Sequence, residues 1–347
     1  MTVVIGAGQA GLATAFHLSR LGLRPYRDYV VLDADAAAGG AWQHRWPTLT
    51  MGDVHGVAAL PDLPVPAAGQ DEPARAVIPP YFAEYERRYQ LPVLRPVDVA
   101  SVEEADGGLL AVVGPDARWR TRSVVNATGT WRRPFLPFYP GASSFAGRQL
   151  HTHDYAGPES FRGQHVVMVG GGASAVQLLA EISGVATTTW VTRQPPRWRT
   201  TPFSESAGRA AVARVEERVR RGLPPESVVS VTGLVLREQE QEALRRGVYE
   251  RRPMFERLTA AGVHWPDGRH QRADAIVWAT GFRPDVAHLA PLALRSPDGG
   301  IQLDGTTAVL DPRVQLVGYG PSASTIGASR AGRTAAHQVL RLLTQAA

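Results

Sequence analysis

Short apolar runs, each followed by a glycine cluster and then by helical hydrophobic spacing, occur twice along the chain. In the first copy the apolar run at 3–5 precedes the glycines, and apolar residues then recur on one helix face from about Ala10 to Leu21. A second apolar run at 29–33 follows. This order predicts a strand–turn–helix–strand (βαβ) unit.

The second copy lies more than a hundred residues further along. An apolar run at 166–169 leads through glycines into a helical pattern from about Ala173 to Ile182, and a strand is predicted at 188–192. Two βαβ units imply two nucleotide-binding folds. The predicted fold class is therefore α/β, with two Rossmann-like dinucleotide-binding domains.

Two apolar strands end in the same three residues, Ala-Thr-Gly. One is SVVNATGTWRRP at 123–134 and the other is DAIVWATGFRP at 274–284. A strand that stops on Thr-Gly lets the backbone approach a ligand closely or change direction sharply. The proline that follows in each case prevents continuation as a helix.

The segments between these units predict loops and covering helices. The Pro-rich stretch 60–80 is predicted as a loop, and 79–90 as a helix with aromatic residues near one side. Helices are also predicted at 207–222 and 236–246. These last two either cover the second nucleotide-binding unit or are ordinary solvated helices.

Composition narrows the class of protein. The chain has 347 residues, enough for two domains, and 44% of them are hydrophobic, which is typical of a globular protein. The net charge is +5 and all 37 basic residues are arginine. These arginines are dispersed in small clusters and form no basic stripe, so we expect no nucleic-acid partner.

Cysteine is absent, which excludes disulfides, thiolate metal sites and thiol–disulfide chemistry. There is no apolar run of about 18 residues, so no membrane span is expected. The first strand begins at Thr2 and leaves no room for a signal peptide. A cytoplasmic location is therefore the expectation.

The first glycine turn fits G-x-G-x-x-G and is followed, at the end of the next strand, by an acidic residue. The glycines allow a tight turn, close approach of a pyrophosphate and close packing of helix on strand, while the helix N-terminus favours the phosphates. The carboxylate can accept hydrogen bonds from a ribose diol. The predicted contacts are Gly6, Gly8, Gln9, Ala10, Gly11, Asp33 and Ala34.

The second turn fits G-x-G-x-x-A, and the next strand ends on arginine in place of an acid. Arg193 suits a ribose that carries a 2′-phosphate, and Arg197 and Arg199 could share this role; the alternative is that Arg193 is an ordinary surface charge. FAD in the first site and NADPH in the second is the simplest assignment. The predicted contacts of the second are Gly170, Gly172, Ala173, Ser174, Ala175 and Arg193.

Several motifs in a fixed order resemble the flavin-containing monooxygenase family, which includes the Baeyer–Villiger monooxygenases. FAGRQLHTHDY at 145–155 is similar to the F-x-G-x-x-x-H signature of that family, and 314–333 resembles the segment that returns to cover the flavin. The other motifs are GAGQAG with Asp33, GGAWQHRW at 39–46, ATGTW at 127–131, GGGASA at 170–175 and ATGFRPD at 279–285.

The resemblance implies that an NADPH domain is inserted into an FAD domain, with segments 1–158 (FAD), 159–272 (NADPH) and 273–347 (FAD). Thr280 and Gly281 are implied as further contacts of NADPH. Two tryptophans four residues apart are also compatible with simple core packing. The further FAD contacts implied are Gly40, Ala41, Trp42, Trp46, Val99, Ala127, Thr128, Gly129 and Ile326.

The family chemistry implies that NADPH reduces FAD and that a C4a-(hydro)peroxyflavin formed with O₂ oxygenates a small sulfide, amine or ketone. The substrates would be a small molecule and O₂. A homodimer is one of the assemblies that the sequence leaves open. The alternatives are an FAD-dependent NADPH oxidase or reductase that oxygenates nothing, and a non-enzymatic sensor of the two nucleotides.

Catalytic side chains are harder to assign. Many relatives carry an Asn in the loop after the GGxW segment, but LTMGDVHG at 49–56 has none, which favours the oxidase alternative. Its titratable residues are Asp53 and His55, and a turn-capping role is the simpler interpretation of Asp53. His151 is a third candidate, either contacting the nicotinamide cofactor or satisfying a backbone carbonyl.

Overall fold

The computed structural model describes residues 1–54, 56–199, 205–226 and 233–345. The helices are α1 (Gln9–Arg20), α2 (Ala74–Arg88), α3 (Ala173–Ile182), α4 (Glu205–Arg220), α5 (Glu238–Arg245) and α6 (Thr325–Gln345). The strands are β1 (Thr2–Ile5), β2 (Tyr29–Leu32), β3 (Val93–Leu94), β4 (Ser101–Ala105), β5 (Leu109–Val113), β6 (Arg118–Thr121), β7 (Ser123–Asn126), β8 (Arg148–His151), β9 (His165–Val169), β10 (Thr187–Val191), β11 (Trp198–Arg199), β12 (Leu234–Val235), β13 (Arg251–Arg252), β14 (Arg257–Thr259), β15 (Gly262–His264), β16 (His270–Arg272), β17 (Ala275–Trp278), β18 (Leu303–Asp304), β19 (Thr307–Ala308) and β20 (Val314–Leu316).

The first sheet has seven strands in the order β18-β19-β20-β7-β1-β2-β3. The strands from β20 to β3 are parallel, and β1, β2 and β7 are buried along their whole length because both faces are covered. Helices α1 and α6 approach closely: a Cβ placed on Gly332 would lie 2.8 Å from the backbone nitrogen of Thr14. The first predicted βαβ unit is confirmed.

The second sheet has five parallel strands in the order β13-β10-β9-β17-β8. Helix α3 has the predicted bounds and buries Val176, Leu178, Leu179 and Ile182 beside β9 and β10. The chain is therefore an α/β protein with two Rossmann-like units, as predicted.

The pairing of strands bears on where the two units divide the chain. Strands β8 and β17 both lie outside 159–272, yet they pair with each other, and β17 also pairs with β9 in the second sheet. The boundaries 158/159 and 272/273 would thus cut one hydrogen-bonded sheet. We therefore propose that the inserted unit begins ahead of β8 and ends after β17.

Helix α2 begins within the stretch that was predicted to be a loop. It contains Pro79 and Pro80, which lack backbone donors and normally end a helix. Burial outweighs this penalty, because Ile78, Phe82 and Tyr85 on the same helix are fully buried in the first core. Proline was thus a misleading signal at this position.

The two basic helices in the middle of the chain pack differently. Helix α5 buries Ala243 in the core of the second unit, next to α3, as expected of a covering helix. Helix α4 instead packs on the first unit, where Val219 joins the core beneath the sheet and lies against Gly320. Within the described ranges, no helix is both long enough and apolar enough to cross a membrane.

Candidate active site

The first glycine turn, Gly6 to Gly11, requires glycine at two of its three motif positions. Gly6 has φ of 101°, and a Cβ there would lie 2.6 Å from the carbonyl oxygen of Ala127. A Cβ on Gly11 would lie 1.8 Å from the carbonyl oxygen of Gly6. Gly8 faces open space, since nothing lies within 4 Å of a Cβ placed there. The turn is therefore closed towards the protein and open on the side of a ligand.

The N-terminus of α1 is available to an anion. It has no side-chain cap and no acidic residue in its first turn, so backbone N–H groups point outward from it. The GGAW segment covers this end, and a Cβ on Gly40 would lie 2.9 Å from the Cα of Gly8. We call the Gly6–Gly11 turn, this helix end and Asp33 the first cradle.

Asp33 lies at the rim of the first cradle and is buried. Its carboxylate oxygens accept hydrogen bonds from the backbone N–H groups of Ala7 (2.9 Å) and Asp35 (3.0 Å), and Arg95 is 3.5 Å away. The backbone N–H of Val97 donates to the carbonyl oxygen of Asp33 at 2.7 Å. This bond brings the segment that contains Val99 beside the predicted ribose site.

The second glycine turn repeats this construction. Gly170 has φ of 140°, and a Cβ there would lie 2.2 Å from the carbonyl oxygen of Ala279. Gly172 again faces open space, and α3 lacks a side-chain cap and an early acidic residue. The third position is Ala175, whose methyl group is buried. We call this turn, the start of α3 and Arg193 the second cradle.

Two arginines lie at the far rim of the second cradle. Arg193 is exposed, directly after Thr192, whose methyl carbon would be 3.6 Å from a Cβ on Gly171. Arg251 on β13 donates from Nε to the Thr192 hydroxyl at 2.9 Å and from Nη2 to its carbonyl oxygen at 3.3 Å. Sequence reasoning missed Arg251, since only the pairing of β13 with β10 brings it here.

The two Ala-Thr-Gly segments bring the cradles together. The backbone N–H of Phe135 donates to the Gly281 carbonyl at 2.9 Å, and the Thr280 hydroxyl donates to the carbonyl of Phe135. The rings of Trp131 and Phe282 stack with centroids 5.1 Å apart. Ala127 and Ala279 are the same alanines that contact the two glycine turns, so one repeated motif connects each turn to the junction.

His151 is buried at this junction and both of its ring nitrogens are engaged. Nδ1 accepts from the backbone N–H of His153 at 3.0 Å, which leaves Nε2–H to donate to the Gly281 carbonyl, also at 3.0 Å. Burial lowers the pKa of His151, so the neutral ring is favoured. Its geometry is that of a residue that fixes the ATGF loop.

Asp53 is tied to neighbouring groups. Its carboxylate accepts from the Thr50 hydroxyl at 2.7 Å and lies 3.6 Å from the Arg237 guanidinium, while Gln177 donates to its backbone carbonyl at 2.9 Å. These contacts fasten the loop to the second unit. His55 lies outside the described residues, and Ile326 lies in α6 with its side chain outside the description.

The remaining predicted contacts are close to the first cradle but differ in burial. Trp46 is buried against Tyr155, as core packing requires, whereas Trp42 is half-buried. A Cβ on Gly318 would lie 3.8 Å from Gly129. Ala10 and Ala127 are buried, while Ala34, Ala41, Thr128, Ala173, Ser174 and Thr280 are half-buried.

Unpartnered buried atoms supply a test of whether a dinucleotide fits here. Gln9 Oε1, Arg45 Nε and Trp131 Nε1 are buried and have no hydrogen-bond partner in the described part of the chain. Buried polar atoms normally find partners, so these positions call for a ligand that both donates and accepts. A dinucleotide satisfies that requirement, and the glycine turns leave room for its phosphates.

Comparison with known proteins agrees with this geometry. Residues 3–308 match the family model described as pyridine nucleotide-disulphide oxidoreductase. The solved structure of a flavin-containing monooxygenase from Stenotrophomonas maltophilia is 39% identical, covers 98% of both chains and superposes with a TM-score of 0.83. The chain belongs to this oxidoreductase family and, within it, to the flavin-containing monooxygenase family. FAD and NADPH, predicted from the two turns, are the cofactors of that family.

More distant relatives share the enzyme's fold or parts of its sequence. An indole-3-pyruvate monooxygenase of rice is 27% identical across 82% of this chain and 75% of its own. Cyclohexanone monooxygenase, at 19% identity, covers 99% of this chain and 87% of its own with a TM-score of 0.68. The fold of this chain is thus shared with proteins that act on different substrates.

Proposed function

We propose that the enzyme oxidises NADPH and transfers one atom of O₂ to a small sulfide, amine or ketone, while the other atom leaves as water. The observation that carries this proposal is the junction of the two cradles, where residues 131–135 and 280–283 hydrogen-bond to each other. Ligands that extend from the two glycine turns towards this junction would meet there. FAD, when bound, supplies the redox and oxygen-activating chemistry.

The protein's own contribution would be orientation and the exclusion of water. His151, held neutral and bonded to Gly281, would keep the ATGF loop in one position. Trp131 and Phe282 present a stacked aromatic wall at the junction. Excluding solvent there would protect a reactive oxygen species from premature breakdown.

Preference for NADPH over NADH would come from the arginine pair at the second cradle. Arg251 on β13 is positioned by two hydrogen bonds to Thr192, which follows β10. Arg193 is the next residue after Thr192 and is exposed. A guanidinium pairs well with a phosphate. We propose that both residues bind the 2′-phosphate of NADPH.

Rapid mixing of the NADPH-reduced enzyme with O₂ tests the proposal, with methyl phenyl sulfide as the probe substrate. Oxygen transfer predicts sulfoxide formation and much less than one H₂O₂ released per NADPH oxidised. The oxidase alternative, which the missing Asn in the loop at 49–56 favours, predicts one H₂O₂ per NADPH with or without the sulfide. That result with sulfide, amine and ketone probes alike would refute the proposed oxygenation.

A further inference from the structure

Arg45 follows the short helical turn Gly40–His44 and lies between two indole rings. Its guanidinium carbon is 4.7 Å from the ring centroid of Trp131 and 5.7 Å from that of Trp42. Both distances are within the range of cation–π attraction. Two aromatic faces thus hold one cationic side chain at the rim of the first cradle.

This arginine has no counter-ion within the chain as described. No carboxylate of the described residues is within ion-pairing distance of it, and its buried Nε has no hydrogen-bond acceptor. Two other half-buried arginines do have carboxylate partners: Arg95 lies 2.6 Å from Glu86, and Arg313 lies 2.7 Å from Asp311. Arg45 is therefore an exception to the rule that a charged side chain shielded from water has a partner of opposite charge.

The charge is retained despite this environment. Burial lowers the pKa of Arg45 to about 10, so the group is still protonated at neutral pH. Cation–π contacts offset only part of the cost of removing a cation from water. An anion at this position would relieve the remainder.

A second unsatisfied donor lies next to the first. Trp131 Nε1 is buried without an acceptor, and an indole N–H can only donate. Arg45 stacks on the ring of this same residue. Two adjacent groups that can only donate are satisfied together by a ligand that only accepts, such as an oxyanion.

The position of this pair connects it to both cradles. Arg45 is five residues beyond Gly40, which contacts Gly8 of the first turn. Trp131 is two residues beyond Gly129 and stacks on Phe282, which follows the Ala-Thr-Gly of the second cradle. Short segments therefore connect the pair to both cradles.

We propose that Arg45 and Trp131 form an oxyanion-binding site at the junction of the two cradles. The oxyanion is either a phosphate of a bound dinucleotide or the carboxylate of an acidic substrate, and both offer the same acceptor oxygens. The site does not depend on oxygen transfer. Its failure is therefore distinguishable from failure of the proposed oxygenation.

The test compares Arg45→Met and Arg45→Lys with the unaltered holoenzyme. Arg269→Met is the matched control, because Arg269 also lies over an indole, 5.8 Å from the Trp265 centroid, but already has a carboxylate partner in Asp267. Three quantities are measured: the flavin-to-protein ratio after prolonged dialysis, and the Kd values of NADP⁺ and of benzoate from changes in the flavin spectrum.

Loss of a charge-assisted contact predicts that Arg45→Met weakens one of these three by about 10- to 100-fold, with partial recovery in Arg45→Lys and no change in Arg269→Met. A change in flavin retention or NADP⁺ binding identifies a phosphate, and a change in benzoate binding alone identifies a carboxylate. If Arg45→Met does not fold, Trp131→Phe removes the indole donor while keeping an aromatic ring, and it must weaken the binding of at least one of the three ligands. Unchanged binding of all three in the folded variants would overturn the proposal.

Discussion

The two cradles have the same construction, but the first is more deeply buried than the second. In both, the first glycine has a positive φ and contacts the alanine carbonyl of an Ala-Thr-Gly segment, Ala127 in one and Ala279 in the other. At corresponding positions, Gly8 is half-buried and Gln9 and Ala10 are buried in the first cradle, whereas Gly172 is exposed and Ala173 and Ser174 are half-buried in the second. A covered cradle suits a resident cofactor, and an open one suits a cofactor that exchanges at each turnover.

The charged residues at the rims also differ in burial, and the first rim is again the more buried. Asp33 is buried and bonded to two backbone N–H groups, so its position is fixed before a ligand binds. Arg193 is exposed, and both hydrogen bonds of the half-buried Arg251 go to one residue, Thr192. The first rim is preorganised for a neutral ribose diol, while the second offers positive charge to a phosphate.

The largest effect is expected from exchanging the third residue of each turn. Gly11→Ala places a Cβ 1.8 Å from the carbonyl of Gly6, so the turn must open, and we expect the protein to lose most of its flavin or fail to fold. The reverse exchange, Ala175→Gly, should cost about 2 kcal/mol of unfolding free energy, from lower helix propensity and the loss of a buried methyl group. The flavin-to-protein ratio and the thermal midpoint measure both. A yellow, stable Gly11→Ala protein would contradict the close packing of the first turn.

The arginine rim predicts a smaller and more selective effect. Arg193→Ala should raise the KM for NADPH by about 10- to 100-fold, since a charge-assisted hydrogen bond contributes about 1.5–3 kcal/mol. The KM for NADH should barely change. Arg251→Ala should act in the same direction, and steady-state NAD(P)H oxidation measures both variants. Equal effects on the two nucleotides would show that these residues do not bind the 2′-phosphate.

Sequence reasoning found both turns because each is a local pattern. Gly6, Gly8 and Gly11, and the corresponding residues of the second turn, are adjacent in sequence, so strand, turn and helix could be predicted together. Arg251 and the Arg45–Trp131 pair come together only through sheet pairing and loop packing, which no local spacing records. The start of α2 was missed because tertiary burial outweighed its two prolines.

The smallest effect concerns acid stability. Burial lowers the pKa values of His151, His165 and His288, so the folded protein binds fewer protons than the unfolded chain. The free energy of unfolding should therefore have its full value above about pH 6.5 and decrease as the pH falls below that. Each histidine should contribute a decrease of about 1.4 kcal/mol for every unit by which folding lowers its pKa.

Denaturant titrations between pH 5 and 7 would assign this loss to the two units. His288 Nε2–H donates a 2.6 Å hydrogen bond to Oδ1 of Asn126 in the first unit, whereas His165 hydrogen-bonds to Thr187 and Thr189 of the second. We expect His288→Gln and His165→Gln each to flatten the pH dependence. An equally steep loss in both of these variants would count against this explanation.

Anaerobic mixing of the holoenzyme with NADPH, followed through the visible absorption of the flavin, tests most directly whether the two cradles deliver their ligands to one junction. The account predicts that the oxidised flavin band bleaches in a single turnover, faster with NADPH than with NADH. A flavin that stays bound and oxidised in the presence of excess NADPH would contradict it.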